Sequence, residues 1–310
     1  MKIGMFGLGK MGANMALRLM SGGHEVSGWS RSEGTVNEAK ELGVPATTDL
    51  EAAVAELETP RVLWLMVPAG DPVDDMIEKL IPLTEQGDIF IDGGNSRYSD
   101  ALRRADELSA RGYHLVDVGT SGGVWGLDEG YSMMIGGEDE VVEHLRPLFE
   151  TLAPSPDTGW GHMGPTGAGH FVKMVHNGIE YGMMQAYAEG FALMRRKEQF
   201  SLDLHQIAET WRFGSVVRSW LLDLIARGLE QEGQELENIA PWVYDSGHGR
   251  WTVEEAIDTA TNLPVISMAL MQRFASRDED QYANRLLAVM RNQFGGHEVK
   301  DAEDDGDGSQ

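Results

Sequence analysis

Between His170 and Met184 the chain reads "HFVKMVHNGIEYGMM". Lys173, His176, Asn177, Glu180 and Tyr181 fall at i, i+3, i+4, i+7 and i+8, the spacing of a helix's buried stripe. Leu, Ile and Val ordinarily fill such a stripe. Here it carries an amine, an imidazole, an amide, a carboxyl and a phenol, groups that hold polar ligands and move protons. Lys173 and Glu180 are seven positions apart, roughly 10 Å by helix rise. A solvated salt bridge on a helix uses three or four. Met183, Ala186 and Ala188 lie on the opposite face, which predicts a helix buried all round. A buried helix with a polar seam is a candidate site.

Other segments gather polar residues and glycine. "DGGNS" holds Asn95, "DVGTSGGVWG" holds Ser121, Gly122 and Gly123, and "DSGHGRWT" holds Ser246, His248 and Arg250. Taken singly, each is ordinary turn chemistry. At the other end of the chain "GLGKMG" runs Gly7, Leu8, Gly9, Lys10, Met11, Gly12, a G-x-G-x-x-G between a strand pattern and a helix pattern. In that context the first glycine permits a tight turn. The second lets backbone approach a pyrophosphate, and the third lets helix pack on strand, with the helix N-terminus facing the phosphates. An NAD enzyme usually places Asp or Glu roughly 20 residues on, at the tip of the second strand. Here the tip is Ser30-Arg31-Ser32, without an acid, and an arginine between hydroxyls suits a 2′-phosphate. This favours NADP over NAD. "MVPAG", with Val67 and Ala69, ends the next strand where a loop would border the cofactor.

The elements that must position these groups follow from periodicity. "KIGMFGL", "EVSGWS", "RVLWLMV", "DIFID", "HLVDVG" and "SMMIGG" read as strands, with helical patterns among and after them. That alternation predicts an α/β fold: an N-terminal Rossmann-type, doubly wound parallel sheet. From Thr166 strand patterns cease, and helices are expected over 167–196, 203–231, 252–276 and 279–294. "APSPDTGWGHMGPTG" reads as the boundary loop. The expected division is a dinucleotide-binding domain over 1–165, an all-helical substrate and oligomerisation domain over 166–297, and an acidic disordered tail over 298–310.

Composition excludes several classes. The 310 residues are 42% hydrophobic, enough for two domains with real cores. No apolar run approaches membrane-spanning length. The first strand pattern begins at Lys2, so a cytoplasmic, unsecreted protein is expected. Cysteine is absent, which removes disulfides, thiolate metal sites and cysteine nucleophiles. The net charge of −25 argues against nucleic acid or an anionic membrane as partner and suits a solvated acidic surface, as in a saline milieu. An anionic ligand therefore needs a local basic pocket, which Lys173, Arg250, Arg273 and Arg291 could form. The histidines are scattered, and no metal site is expected.

Several motifs together carry a resemblance. "GLGKMGANMA", "DGGNSRYSD", "DVGTSGGVWG", "KMVHNGIEYGMMQ", "GRWT", "RFASR" around Arg273 and "RNQFGGH" from Arg291 to His297 span residues 2–297. They resemble those of the decarboxylating 6-phosphogluconate dehydrogenases. The resemblance implies that Asn95, Ser121, Gly122, Gly123, His176, Asn177 and Tyr181 bind 6-phosphogluconate. It implies Lys173 as general base and acid, Glu180 as the acid that finishes the reaction, and Arg273 on the phosphate. Asn95 would also border the cofactor. Arg291 and His297 would serve the neighbouring subunit's site, which makes a homodimer or homotetramer. Longer members hold the phosphate with a Lys and a Thr before the "RWT" segment, where this chain has Ser246 and His248, and Arg250 could compensate. The chain also lacks their second large helical repeat and resembles the short form. Competing readings are another β-hydroxyacid dehydrogenase, such as one acting on 3-hydroxyisobutyrate, and a non-catalytic NADP-binding module.

The implied reaction makes physical demands. A 3-hydroxy acid loses CO2 only after C3 becomes a ketone, which supplies an electron sink β to the carboxylate. The base must be neutral, so the pKa of Lys173 must fall from about 10.4, and burial would lower it. Glu180 must arrive protonated, which desolvation would favour. The scheme needs no metal.

Overall fold

In the computed structural model the described residues are 1–295 and 298–300. His297 and positions 301–310 of the expected tail lie outside them. The first part of the chain alternates strands and helices. β1 (Lys2–Phe6), α1 (Lys10–Ser21), β2 (Glu25–Trp29), α2 (Glu33–Glu41), β3 (Ala46–Thr47) and α3 (Leu50–Ala55) come first. β4 (Val62–Leu65), α4 (Asp71–Leu80), β5 (Ile89–Asp92), α5 (Tyr98–Ser109) and β6 (His114–Ser121) follow. Then come α6 (Gly126–Glu129), β7 (Ser132–Gly136), α7 (Asp139–Leu152) and β8 (Trp160–Gly164).

These strands form one sheet in the order β3-β2-β1-β4-β5-β6-β7-β8. Every pairing is parallel except β6 with β7. The order reverses between β1 and β4, the switch point at which such sheets bind dinucleotides. Strand interiors are nearly all apolar because both faces are covered. Ile3, Met5, Trp64, Ile89 and Ile91 pack on one face with Met15 and Leu19 of α1 and Leu145 and Phe149 of α7. Phe6, Leu63, Leu65 and Phe90 pack on the other with Val73 and Ile77 of α4 and Leu108 of α5.

Arg18 of α1 fastens the first face. Its guanidinium donates to the carbonyls of Leu127, Thr151, Leu152 and Ala153, the last three at the C-terminal end of α7. A cation there also meets the negative end of the helix dipole.

The remaining helices are α8 (Ala168–Arg195), α9 (Leu204–Arg212), α10 (Trp220–Glu232), α11 (His248–Asp258), α12 (Pro264–Ala275) and α13 (Tyr282–Gly295). The chain forms two compact units. One comprises residues 1–181 with 247–263, and the other residues 182–246 with 264 onward. The second unit has its own small core, in which Phe191, Leu204, Ala208, Leu222 and Ala226 meet.

Local structure differs from the pattern reading at four places. β8 lies inside the segment read as the boundary loop; a Gly-rich edge strand carries no alternation to betray it. The 203–231 helix is two. Gly214 takes a φ of 75°, and Ser219 caps α10 by accepting from the Leu222 amide. The 252–276 helix is also two, because Pro264 opens a new one after Ala260 adopts a φ of 53°. Finally, α8 is not buried all round within this chain, since Met183, Met184, Ala186 and Ala188 are exposed.

Candidate active site

The nucleotide end is built from β1, α1 and the loops beside them. Gly7 has a φ of 112°, and a Cβ there would lie 2.3 Å from the Met66 carbonyl oxygen. A Cβ at Gly12 would lie 1.9 Å from the carbonyl oxygen of Gly7. Those two glycines serve the fold. Gly9 is different, because a Cβ there would meet nothing within 4 Å. Gly9 is also the N-cap of α1, with no capping side chain and no acid in the first turn. An open backbone at a helix N-terminus, with no internal reason to be bare, fits a pyrophosphate. Leu8 points into the core, so only its backbone can serve a ligand, while Lys10 is exposed and Met11 half-buried. Val67 is half-buried and Ala69 exposed in the loop after β4.

At the tip of β2, Ser30 is buried and Ser32 caps α2 by accepting from the Thr35 amide. Arg31 is exposed and pairs with no carboxylate among the described residues. The tip therefore presents a cation in place of an acid.

The polar seam lies on the first half of α8. Lys173 is only 4% exposed. Burial drives its amine down to about 8, against a smaller opposing pull from Glu180 on the same face. Its Nζ stands 3.4 Å from His176 Nδ1, which is 2.9 Å from Asn177 Oδ1. With the proton on Nδ1, His176 donates to Asn177 and keeps Nε2 as an acceptor. Glu180 is half-buried, so this chain alone does not enclose it as expected. Tyr181 is buried.

Close helix packing explains the glycines beside this seam. A Cβ at Gly178 would meet the Thr252 side chain at 2.8 Å, and one at Gly249 would meet the Tyr181 ring at 2.5 Å. Thr252 Oγ1 donates to the Met174 carbonyl at 3.0 Å. The "HGRWT" segment, as the first turns of α11, is thus laid directly on the seam-bearing part of α8. Arg97 and Tyr98 tie the same helix to α5 through Glu254 and Glu255.

Asn95 holds a left-handed φ of 55°. Its Oδ1 accepts from the Thr120 amide at 2.8 Å, and its Nδ2 donates to the Thr120 carbonyl at 3.1 Å. The side chain clips the end of β5 to the Ser121-Gly122-Gly123 turn, where Gly122 and Gly123 have φ of 131° and 53°. His248 Nε2 lies 3.2 Å from the Asn95 carbonyl oxygen and its ring packs on Trp251. The first unit therefore contains Asn95, the Ser121 turn, Lys173, His176, Asn177, Glu180, Tyr181, His248 and the exposed Arg250.

Ser246, Arg273 and Arg291 belong to the second unit. Arg273 donates to the Tyr244 carbonyl at 2.6 Å, and Arg277 pairs with Asp245 at 3.7 Å, so two arginines of "RFASR" brace the loop leading to Ser246. Arg291 is exposed on α13.

Pattern reading assigned no role to Asp117, His170, Arg104 or Asp92, all buried. Arg104 donates to Asp74, to Asp92 and to the Gly70 carbonyl, which links α5 to α4, to the end of β5 and to the loop after β4. An arginine in the buried register of an amphipathic helix is the one sequence signal that could have found it.

Comparison with known proteins adds independent findings. Residues 2–164 match the family profile described as the NAD binding domain of 6-phosphogluconate dehydrogenase, and residues 169–307 match the profile of that enzyme's C-terminal domain. The chain is 41% identical to the NAD(+)-dependent, decarboxylating 6-phosphogluconate dehydrogenase of Haloferax volcanii, over 98% of this chain and 100% of that one. It is 39% identical to the NADP(+)-dependent, decarboxylating 6-phosphogluconate dehydrogenase of Bacillus subtilis, over 93% of this chain and 64% of that longer one. Among solved structures it superposes on Plasmodium falciparum 6-phosphogluconate dehydrogenase, determined in apo form and with NADP+ and 6-phosphogluconate. The TM-score is 0.83 at 27% identity, over 98% of this chain and 67% of that one.

Proposed function

The chain belongs to the 6-phosphogluconate dehydrogenase family, and we propose that it converts 6-phosphogluconate to ribulose 5-phosphate and CO2 in the pentose phosphate pathway of the cytoplasm. The observation that carries this reading is Lys173, an amine lowered to about 8 by burial on the seam of α8. A base of that strength is about one tenth neutral at pH 7, against well under one part in a thousand for an ordinary lysine.

Lys173 takes the proton from the C3 hydroxyl. Once protonated it stands beside the new ketone oxygen and stabilises the enolate as CO2 leaves. Glu180, two turns along the same face, delivers the proton to C1. His176, Asn177, Tyr181 and the Ser121-Gly122-Gly123 turn hold the sugar acid. Asn95 acts chiefly by fixing that turn. Arg273 receives the phosphate; Ser246, His248 and Arg250 are further substrate contacts. Gly7, Gly9 and Gly12, with the first turn of α1, would hold the dinucleotide, which supplies the hydride acceptor when bound.

The dinucleotide is NADP, on the strength of Arg31 between Ser30 and Ser32. NAD is the second reading, favoured by the full-length match to a NAD(+)-dependent relative. The enzyme is a homodimer or homotetramer in which Arg291 and His297 complete the neighbouring site. Residues 1–165 serve the cofactor, and 166–297 serve substrate and assembly.

Purified protein given 6-phosphogluconate should release CO2 while reducing the dinucleotide. Absence of turnover with both dinucleotides would overturn the reading, as would equal turnover of 3-hydroxyisobutyrate. Arg31→Ala should raise the KM for NADP about tenfold and leave that for NAD unchanged, the size of one charge-assisted phosphate contact. A wild-type KM for NAD below that for NADP would select the second reading.

A further inference from the structure

Asp117 sits in the interior of β6, fully buried. Its Oδ1 accepts from the Gly167 amide at 2.6 Å and its Oδ2 from the His170 amide at 2.7 Å, both at the start of α8. No lysine or arginine among the described residues pairs with it; burial pushes its carboxyl up, against the opposing pull of His170 and of the two backbone donors at the positive end of the helix. His170 adds a second fastening, with Nε2 3.1 Å from the carbonyl oxygen of Asp92 on β5.

Three glycines make this seat possible. A Cβ at Gly136 would lie 2.4 Å from Asp117 Oδ1 and 2.8 Å from the Gly169 amide nitrogen. A Cβ at Gly169 would lie 2.5 Å from the Met134 carbonyl oxygen and 2.6 Å from that of Asp117. A Cβ at Gly119 would lie 2.3 Å from the Cβ of Lys173. The first turn of α8 therefore rests backbone to backbone on β6 and β7. Lys173, one turn on from His170, fills the recess left above Gly119.

We propose that Asp117 is a positioning residue for the reaction: its carboxylate holds the start of α8 in the glycine slot and so fixes where the Lys173 amine stands and how deeply it is buried. The proposal rests on the reading of Lys173 as the proton acceptor. It adds a residue that touches neither substrate nor dinucleotide. The titratable and charged groups that bear on Lys173 are His176 and Glu180 on its own helix and Asp117 on β6. Asp92 with His170 lies toward β5, and His248 and Arg250 are on α11, which packs against α8.

The test is Asp117→Asn in the full-length protein. This near-isosteric change keeps one acceptor and loses the other. The kcat for 6-phosphogluconate is measured across a pH series, with NADP affinity by fluorescence titration as a check that the sheet is intact. If the helix start loosens, Lys173 becomes more exposed and its pKa climbs back toward the ordinary lysine value. NADP affinity should then hold while kcat near neutral pH falls about tenfold, the equivalent of one pKa unit. The deficit should close as pH rises. A profile that superposes on the parent's would overturn the proposal. So would one displaced to lower pH, the direction expected from merely deleting a nearby negative charge.

Should Asp117→Asn lose NADP binding, Gly119→Ala decides. It leaves the carboxylate in place and pushes a methyl against Lys173, and the same displacement to higher pH is expected; an unchanged profile rejects the seat. Lys173→Met separates the two readings. Turnover retained in that variant sinks the acid–base assignment, whereas an inert Lys173→Met beside a parental Asp117→Asn profile sinks only the positioning role.

Discussion

The two halves of α8 invert the ordinary rule of burial. From Ala168 to Tyr181 the helix hides an amine, an imidazole and a phenol: Lys173, His170 and Tyr181 are each 5% exposed or less. From Gly182 to Arg195 it shows apolar groups instead, with Met183 and Met184 each 39% exposed and Leu193 73%. Burying a charge costs free energy that folding does not return, so the first half is organised for chemistry. Leaving large apolar side chains in water marks the second half as a surface made to be covered. A second copy is the cover that the proposed oligomer would supply.

Mutations that normalise each half test the contrast. Lys173→Met makes the first half an ordinary buried stripe. Its kcat should fall by about three orders of magnitude, the middle of the range for a general acid–base group. The same substitution should stabilise the fold. The lysine is lowered from 10.5 to about 8, so below pH 8 it is protonated in both states, and its burial costs the native state about 3 kcal/mol. Urea unfolding near neutral pH should move to higher midpoint in Lys173→Met; a lower midpoint would mean that the amine is held by favourable contacts and not merely buried.

The pH dependence follows from the same sign. Between about 8 and 10.5 the unfolded chain keeps a proton that the native chain has released, so the lysine's contribution to stability rises with pH across that window. The difference in stability between Lys173→Met and the parent should therefore shrink from neutral pH to pH 10.5. A constant difference would assign the gain to packing.

Glu180→Gln should lower kcat about a hundredfold, because the half-buried carboxyl acts late and water can deliver a proton in its place. Its stability should stay within about 0.5 kcal/mol of the parent's, as for a residue outside the core. A loss equal to that of Lys173→Met would make the two groups a single unit and not successive ones.

The smallest effect on the isolated chain is expected from Leu193→Asp in the second half. Its far-ultraviolet circular dichroism should match the parent's while sedimentation shows a smaller species. An unchanged sedimentation coefficient would leave the exposed stripe without an interface role.

Much of this was legible in the chain. The glycine run falls between β1 and α1, as the strand pattern before it and the helix pattern after it required. The seam residues fall on one helix, because i, i+3, i+4, i+7 spacing survives whatever residues occupy it. Asp117 was hidden. One acid inside "HLVDVG" looks like an interruption of a strand, and only the sheet order brings it beneath a helix start 50 residues later. β8 was hidden because an edge strand of "WGHMG" needs neither alternation nor β-branched residues. The break at Gly214 was hidden because a helical pattern tolerates a glycine until its φ turns positive. Asn95 read as a ligand contact, yet both ends of its amide are committed to Thr120, which no spacing rule could convey.

Arg18 bears on the order in which a ribosome delivers this molecule. The helix that would receive the pyrophosphate is among the first elements to emerge, but the carbonyls that clamp it belong to Leu127 and to Thr151–Ala153. More than one hundred residues of synthesis separate the guanidinium from its acceptors. A nascent chain that has made only its first strand–helix–strand unit carries the glycine fingerprint without the clamp. The motif most readily recognised in the sequence thus gains its clamp only about halfway along the chain, once Ala153 has been made.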